Sequence, residues 1–74
     1  GRHDEAHASL ERLIALAPEY AQPWLELARV LEALDRNHDA ADAYRAYLDR
    51  AAASAPDVPE ARRRLEGLTP PEDA

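Results

Sequence analysis

Residues 23–48, PWLELARVLEALDRNHDAADAYRAYL, decide how this chain folds. Trp24, Leu27, Ala28, Leu31 and Leu34 recur at spacings of three and four, and so do Ala40, Tyr44, Tyr47, Leu48 and Ala51 just beyond the stretch. Each set makes one apolar stripe on a helix, so the stretch predicts two helices joined by a short polar break at Asp35–Arg36–Asn37. Asn37 tolerates left-handed geometry and suits the turn between them.

The same pattern extends in both directions. Upstream, Ala6, Leu10, Leu13, Ile14 and Ala17 match Ala40, Tyr44, Tyr47, Leu48 and Ala51 at an offset of 34 residues. This predicts a first helix from about His3 to Ala17, ended by Pro18, which disfavours helical geometry in the residue before it. The second helix is expected from Tyr20 or Ala21 to Leu34, with Pro23 in its first turn, where a missing N–H costs little. The third is expected from about His38 to Ala53, with Asp42, Arg45 and Asp49 on its outer face. Downstream, Asp57 and Glu60 have the spacing of a capping box, and Val58, Ala61, Leu65 and Leu68 mark a short fourth helix from Val58 to Leu68. Gly67 and Pro70–Pro71 end it, and residues 69–74 read as a disordered tail.

Composition agrees with an all-α chain, being rich in Ala and Leu and poor in β-branched residues. With 74 residues the chain allows one small domain of marginal stability. Cysteine is absent, so disulfides and thiolate metal sites are excluded. All nine basic residues are Arg, and the net charge is −6. That charge argues against nucleic acid or an anionic membrane surface as partner, since both need clustered cations. No apolar run approaches the ~18 residues of a membrane-spanning helix, and the compartment, cytoplasmic or periplasmic, is left open.

The motif Trp24-x2-Leu27-Ala28-x2-Leu31, followed by Ala40-x3-Tyr44, resembles the tetratricopeptide repeat signature. Ala6-x3-Leu10 with Pro18 looks like the second helix and closing proline of a preceding repeat, and Pro18 stands six residues before Trp24, in phase with the family pattern. Gly1 falls opposite Asp35, at the turn where the family usually has glycine. The resemblance implies a solenoid fragment: residues 1–18 as the second helix of a truncated repeat, 19–56 as one full repeat, and 57–68 as a capping helix. The closing proline of the full repeat would fall at Ala52, but Pro56 is the first available, so the third helix is expected to run about a turn longer. Arg62 stands where tryptophan would be expected, which favours a cap over a further repeat. The phase also leads to the expectation that residues precede Gly1 in the native protein.

In packing terms, small residues such as Ala6, Ala28 and Ala40 let helices approach closely, and Trp24, Tyr44 and Tyr47 fill the gaps; Trp24 is expected in the core. In such arrays the first helix of each repeat lines a concave groove. The residues expected to face it here are Gln22, Leu25, Arg29 and Glu32, with Glu26 and Ala33 at the margins. Leu25 offers an apolar contact and Arg29 a grip on a carboxylate. Some family members hold a peptide carboxylate with Lys and Asn; this chain has no Lys and no Asn on that face, so such a clamp is not expected.

His3, His7 and Glu11 share a helical face at spacings of four, and the i, i+4 histidines have the separation of a zinc pair. The order looks superficially like a metalloprotease helix, but the glutamate stands two residues after the first His instead of one. A solvated face explains the three residues without a metal. No phosphate-cradling loop, nucleophile elbow or dinucleotide fingerprint is present. Neither catalysis, a cofactor nor a metal is therefore expected. The expected role is a protein-interaction module that binds a peptide or protein through the groove, or self-associates through an exposed end as a dimer. That end is the stripe Leu10, Leu13 and Ile14, which lacks a preceding helix. The alternatives are an accessory segment of a larger enzyme and a purely structural oligomerisation unit.

Overall fold

The computed structural model describes residues 2–68, and the expected tail and Gly1 lie outside them. Four helices make up the described chain: α1 Arg2–Leu16, α2 Ala21–Ala33, α3 Asn37–Arg50 and α4 Val58–Leu68. The fold is all-α, and each helix packs on the one before it: α2 on α1, α3 on α2, α4 on α3. Among the described residues no helix is long and apolar enough to cross a membrane.

Helices α2 and α3 carry most of the buried residues. Leu25, Leu27, Ala28 and Leu31 are all buried, and they form one cluster with Ala40, Ala43, Tyr44 and Tyr47 of α3 and Val58 and Ala61 of α4. The stripes read from the sequence therefore meet. Ala28, Ala40 and Ala61 are each fully inaccessible. Methyl side chains at these positions cost little volume, so the bulk of Tyr44 and Leu25, the largest fully buried side chains, can fill the space between helices. Among the described residues, five of the eleven buried apolar ones are alanines, a thin core that accords with marginal stability.

The α2–α3 turn departs from expectation in detail. Asn37 begins α3, and the left-handed residue is Asp35, with φ 61°. The Asp35 amide donates to Glu32 O at 2.9 Å and the Arg36 amide to Leu31 O at 2.9 Å. These are the paired bonds of a Schellman C-cap, which needs its left-handed residue one place after Leu34. An aspartate fills a position that glycine occupies without steric cost.

Helix α3 also ends earlier than expected, at Arg50 instead of Ala53. Ala51 is extended, with ψ 146°, and a turn follows, closed by Ala55 N donating to Ala52 O at 2.9 Å. Extending α3 by a turn would carry Val58 and Ala61 away from the α2–α3 cluster that buries them. Their burial outweighs the good helix propensity of Ala51, Ala52 and Ala53.

At this end Arg50 ties three elements together. Its Nε donates to the Pro18 carbonyl at 2.6 Å, its Nη1 to the Ala46 carbonyl at 2.9 Å, and its guanidinium lies 4.7 Å from the Trp24 ring centroid. Trp24 Nε1 donates to the same Pro18 carbonyl at 3.0 Å. Trp24 is half-buried, not a core residue, and its indole N–H explains why: a fully buried ring would have to satisfy that donor inside the core.

Two predictions follow from these geometries. Asp35→Gly should stabilise the fold by roughly 0.5–1 kcal/mol in urea unfolding, by removing the left-handed penalty. Arg50→Ala should cost about 1 kcal/mol and shift the emission of Trp24, the chain's single tryptophan.

Candidate functional site

The residues expected to face a groove are divided by the structure. Leu25, Arg29 and Glu32 lie at i, i+4 and i+7 on one edge of α2, and Arg29 and Glu32 reach across to side chains of α4, which itself packs on α3. Leu25 is only 1% exposed and belongs to the core, so it is withdrawn as a contact residue. Arg29 Nη2 lies 3.5 Å from Glu60 Oε1 and 3.9 Å from Asp57 Oδ1. Glu32 accepts the Tyr44 hydroxyl at 2.7 Å and faces Arg64 Nη1 at 3.5 Å. Gln22 remains exposed and donates to Glu26 at 3.3 Å.

The α2–α4 seam is thus a ladder of alternating charge: Arg29 with Glu60 and Asp57, Glu32 with Arg64, and Arg64 again with Glu60 at 3.7 Å. The pair Asp57 and Glu60 that reads as a capping box reaches across to α2. Each exposed pair is worth little alone, but together they fix how α4 lies on α2. Between them is a shallow depression of about 370 Å³ lined by Arg29, Glu32, Ala33 and Arg64.

Tyr44 is the buried end of this network. Desolvation, reinforced by the neighbouring Glu32 carboxylate, holds its phenol well above the ordinary tyrosine range. Desolvation raises Tyr47 in the same direction, with Asp57 adding to the effect.

The opposite end of the molecule has no such cover. Helix α1 contributes no buried residue. Leu10 and Ile14 are half-buried against the core, while Leu13 is 51% exposed, Leu16 81% and Tyr20 63%. The contrast with α3 is direct: Tyr47, 34 residues after Leu13, is 2% exposed. Leu13 was legible in the sequence as a residue without cover. Leu16 and Tyr20 were not, because neither falls on the stripe shared with α3. A second shallow depression of about 320 Å³, lined by Glu11, Ile14, Ala15, Trp24 and Leu27, borders this face.

The histidine face carries little. His7 Nε2 lies 3.5 Å from Glu11 Oε2, and among the described residues no group of three His, Cys, Asp or Glu side chains converges to hold a metal.

Tyr44→Phe should lower stability by about 1 kcal/mol through loss of the Glu32 hydrogen bond. Because the fold keeps both buried phenols protonated beyond the pH at which they ionise in the unfolded chain, stability should fall as pH rises above about 10. Tyr44→Phe should move the alkaline unfolding midpoint, followed by circular dichroism, to higher pH. In comparisons with known proteins, no protein-family model, curated protein or solved structure matches this chain.

Proposed function

We propose that this chain is a non-catalytic protein-interaction module whose principal contact surface is the outer face of α1 with the α1–α2 turn. One observation carries the reading. Leu13 and Leu16 of α1, a helix with no buried residue, and Tyr20 just after it expose large apolar surface, while Leu25, Leu27, Ala28 and Leu31 of α2 are buried. Burying such side chains yields about 1.5–3 kcal/mol each, a gain the isolated chain leaves unused. The resemblance to tetratricopeptide repeats supports an interaction role, since stacked helical arrays work through their surfaces.

A second reading uses the α2–α4 seam. The depression lined by Arg29, Glu32, Ala33 and Arg64 presents two guanidinium groups to a carboxylate of a partner peptide. Such a carboxylate has to displace Glu60 from Arg29 and Glu32 from Arg64, so the seam is the weaker of the two surfaces.

A photo-crosslinking residue placed at position 16 or at position 33 separates the readings. In extracts of the native source, position 16 should give a protein adduct and position 33 should not. An adduct at position 33 alone would transfer the interaction to the seam, and no adduct at position 16 would remove the α1 face from consideration.

A further inference from the structure

The outer face of α1 has a symmetry in its sequence. Arg2, Glu5, Ser9, Arg12 and Leu16 follow one another at alternating spacings of three and four, Leu13 flanks them, and all six are exposed. Residues at this spacing share one face of the helix. Glu5 lies four residues before Ser9 and Arg12 three residues after it. A second α1 running antiparallel, Ser9 against Ser9, therefore places its Arg12 beside Glu5 and its Glu5 beside Arg12. The same arrangement sets Leu13 against Ala6 of the second copy, and Leu16 against the aliphatic stem of its Arg2. Neither Glu5 nor Arg12 is in an ion pair among the described residues, so both charges are available. Ser9 at the crossing is small and lets the backbones approach.

We propose that the occupant of this face is a second copy of the same chain, paired antiparallel along α1 about a two-fold axis through Ser9. The proposal rests on the reading of α1 as the contact surface and names what covers it. An isologous contact of this kind satisfies each ion pair twice and closes after two copies. Parallel pairing would place Glu5 against Glu5 and Arg12 against Arg12, which like charge disfavours. Helix α1 is about 22 Å long at 1.5 Å per residue, so the interface is small beside the roughly 1,200 Å² at the low end of stable complexes. The dimer is accordingly weak and dissociates on dilution.

Sedimentation equilibrium of the purified full chain, from micromolar to millimolar, tests this. The mass should rise from 8.2 kDa towards twice that value and no further. Glu5→Arg and Arg12→Glu each turn two attractions into two repulsions and should each weaken the dimer roughly tenfold or more. The double variant Glu5→Arg with Arg12→Glu restores both pairs and should return to within about threefold of the wild type. Leu16→Glu should abolish the dimer, with circular dichroism confirming that the helices persist. A wild type that stays at 8.2 kDa throughout overturns the proposal. So does a dimer indifferent to Glu5→Arg, a double variant as weak as the singles, or a mass that grows beyond two chains. If the purified chain is monomeric while position 16 still crosslinks to a different protein, the second copy is refuted and the α1 surface stands.

Discussion

Helix α2 packs between α1 and α3 and exchanges ion pairs with α4, and the joint burial of Leu25, Leu27, Ala28 and Leu31 is the constraint from which the other contacts follow. A 13-residue helix with apolar residues at 24, 25, 27, 28 and 31 cannot bury them against one partner. Helix α3 takes the edge carrying Leu27, Ala28 and Leu31. Helix α4 packs on α3 and is tied to α2 by the ion pairs of Arg29 and Glu32. The remaining edge, with Trp24, is left to α1. Every connection is short enough to permit this, and the early end of α3 at Arg50 is what brings Val58 and Ala61 into place.

The three contacts are secured by different chemistry. The α3 side is close packing of alanines around two tyrosines. The α4 side adds charge: one tyrosine hydroxyl, two carboxylates and two guanidiniums linked through Glu32 and Glu60. The α1 side combines the packing of half-buried Leu10 and Ile14 with one carbonyl, Pro18 O, which accepts from both Trp24 and Arg50. Pro18 lies just past the last turn of α1, where its carbonyl is outside the intrahelical ladder and serves as this acceptor. The result is a gradient across the molecule, from a well-enclosed α2–α3–α4 unit to an α1 that is docked on one side and open on the other. The open side is where interaction with another chain gains most.

Much of this architecture was legible in the residues. Helix periodicity with Pro18, Pro23 and Pro56 placed all four helices, and the stripes of α2 and α3 were correctly read as facing a common core. What the sequence alone could not show was which neighbour lies on each edge. Leu25 reads as groove-facing when α2 is considered with α3, but it belongs to the buried cluster that also holds Val58 and Ala61 of α4. Arg29 and Glu32 change with it, from free contact groups to the rungs that hold α4. The signal was present in the opposite charges of Asp57, Glu60 and Arg64, but charges on a short helix do not by themselves reveal their partners. Asp35 was missed as the left-handed residue because Asn37 has the stronger local preference; the cap bonds to Leu31 and Glu32 decide the position, not the propensity. Leu16 reads as an ordinary surface residue until the exposure of Leu13 beside it shows a continuous apolar edge.

The central claim is that α1 is the uncovered element of an otherwise enclosed fold, and amide hydrogen exchange resolved along the chain tests it most directly. In dilute solution, amides of α2 and α3 should exchange slowest and those of α1 fastest among the helices, with Leu13 to Leu16 the least protected. Raising the protein concentration should slow exchange in α1 and leave α2 and α3 unchanged. Protection of α1 equal to that of α3 in dilute solution, with no dependence on concentration, would contradict the account.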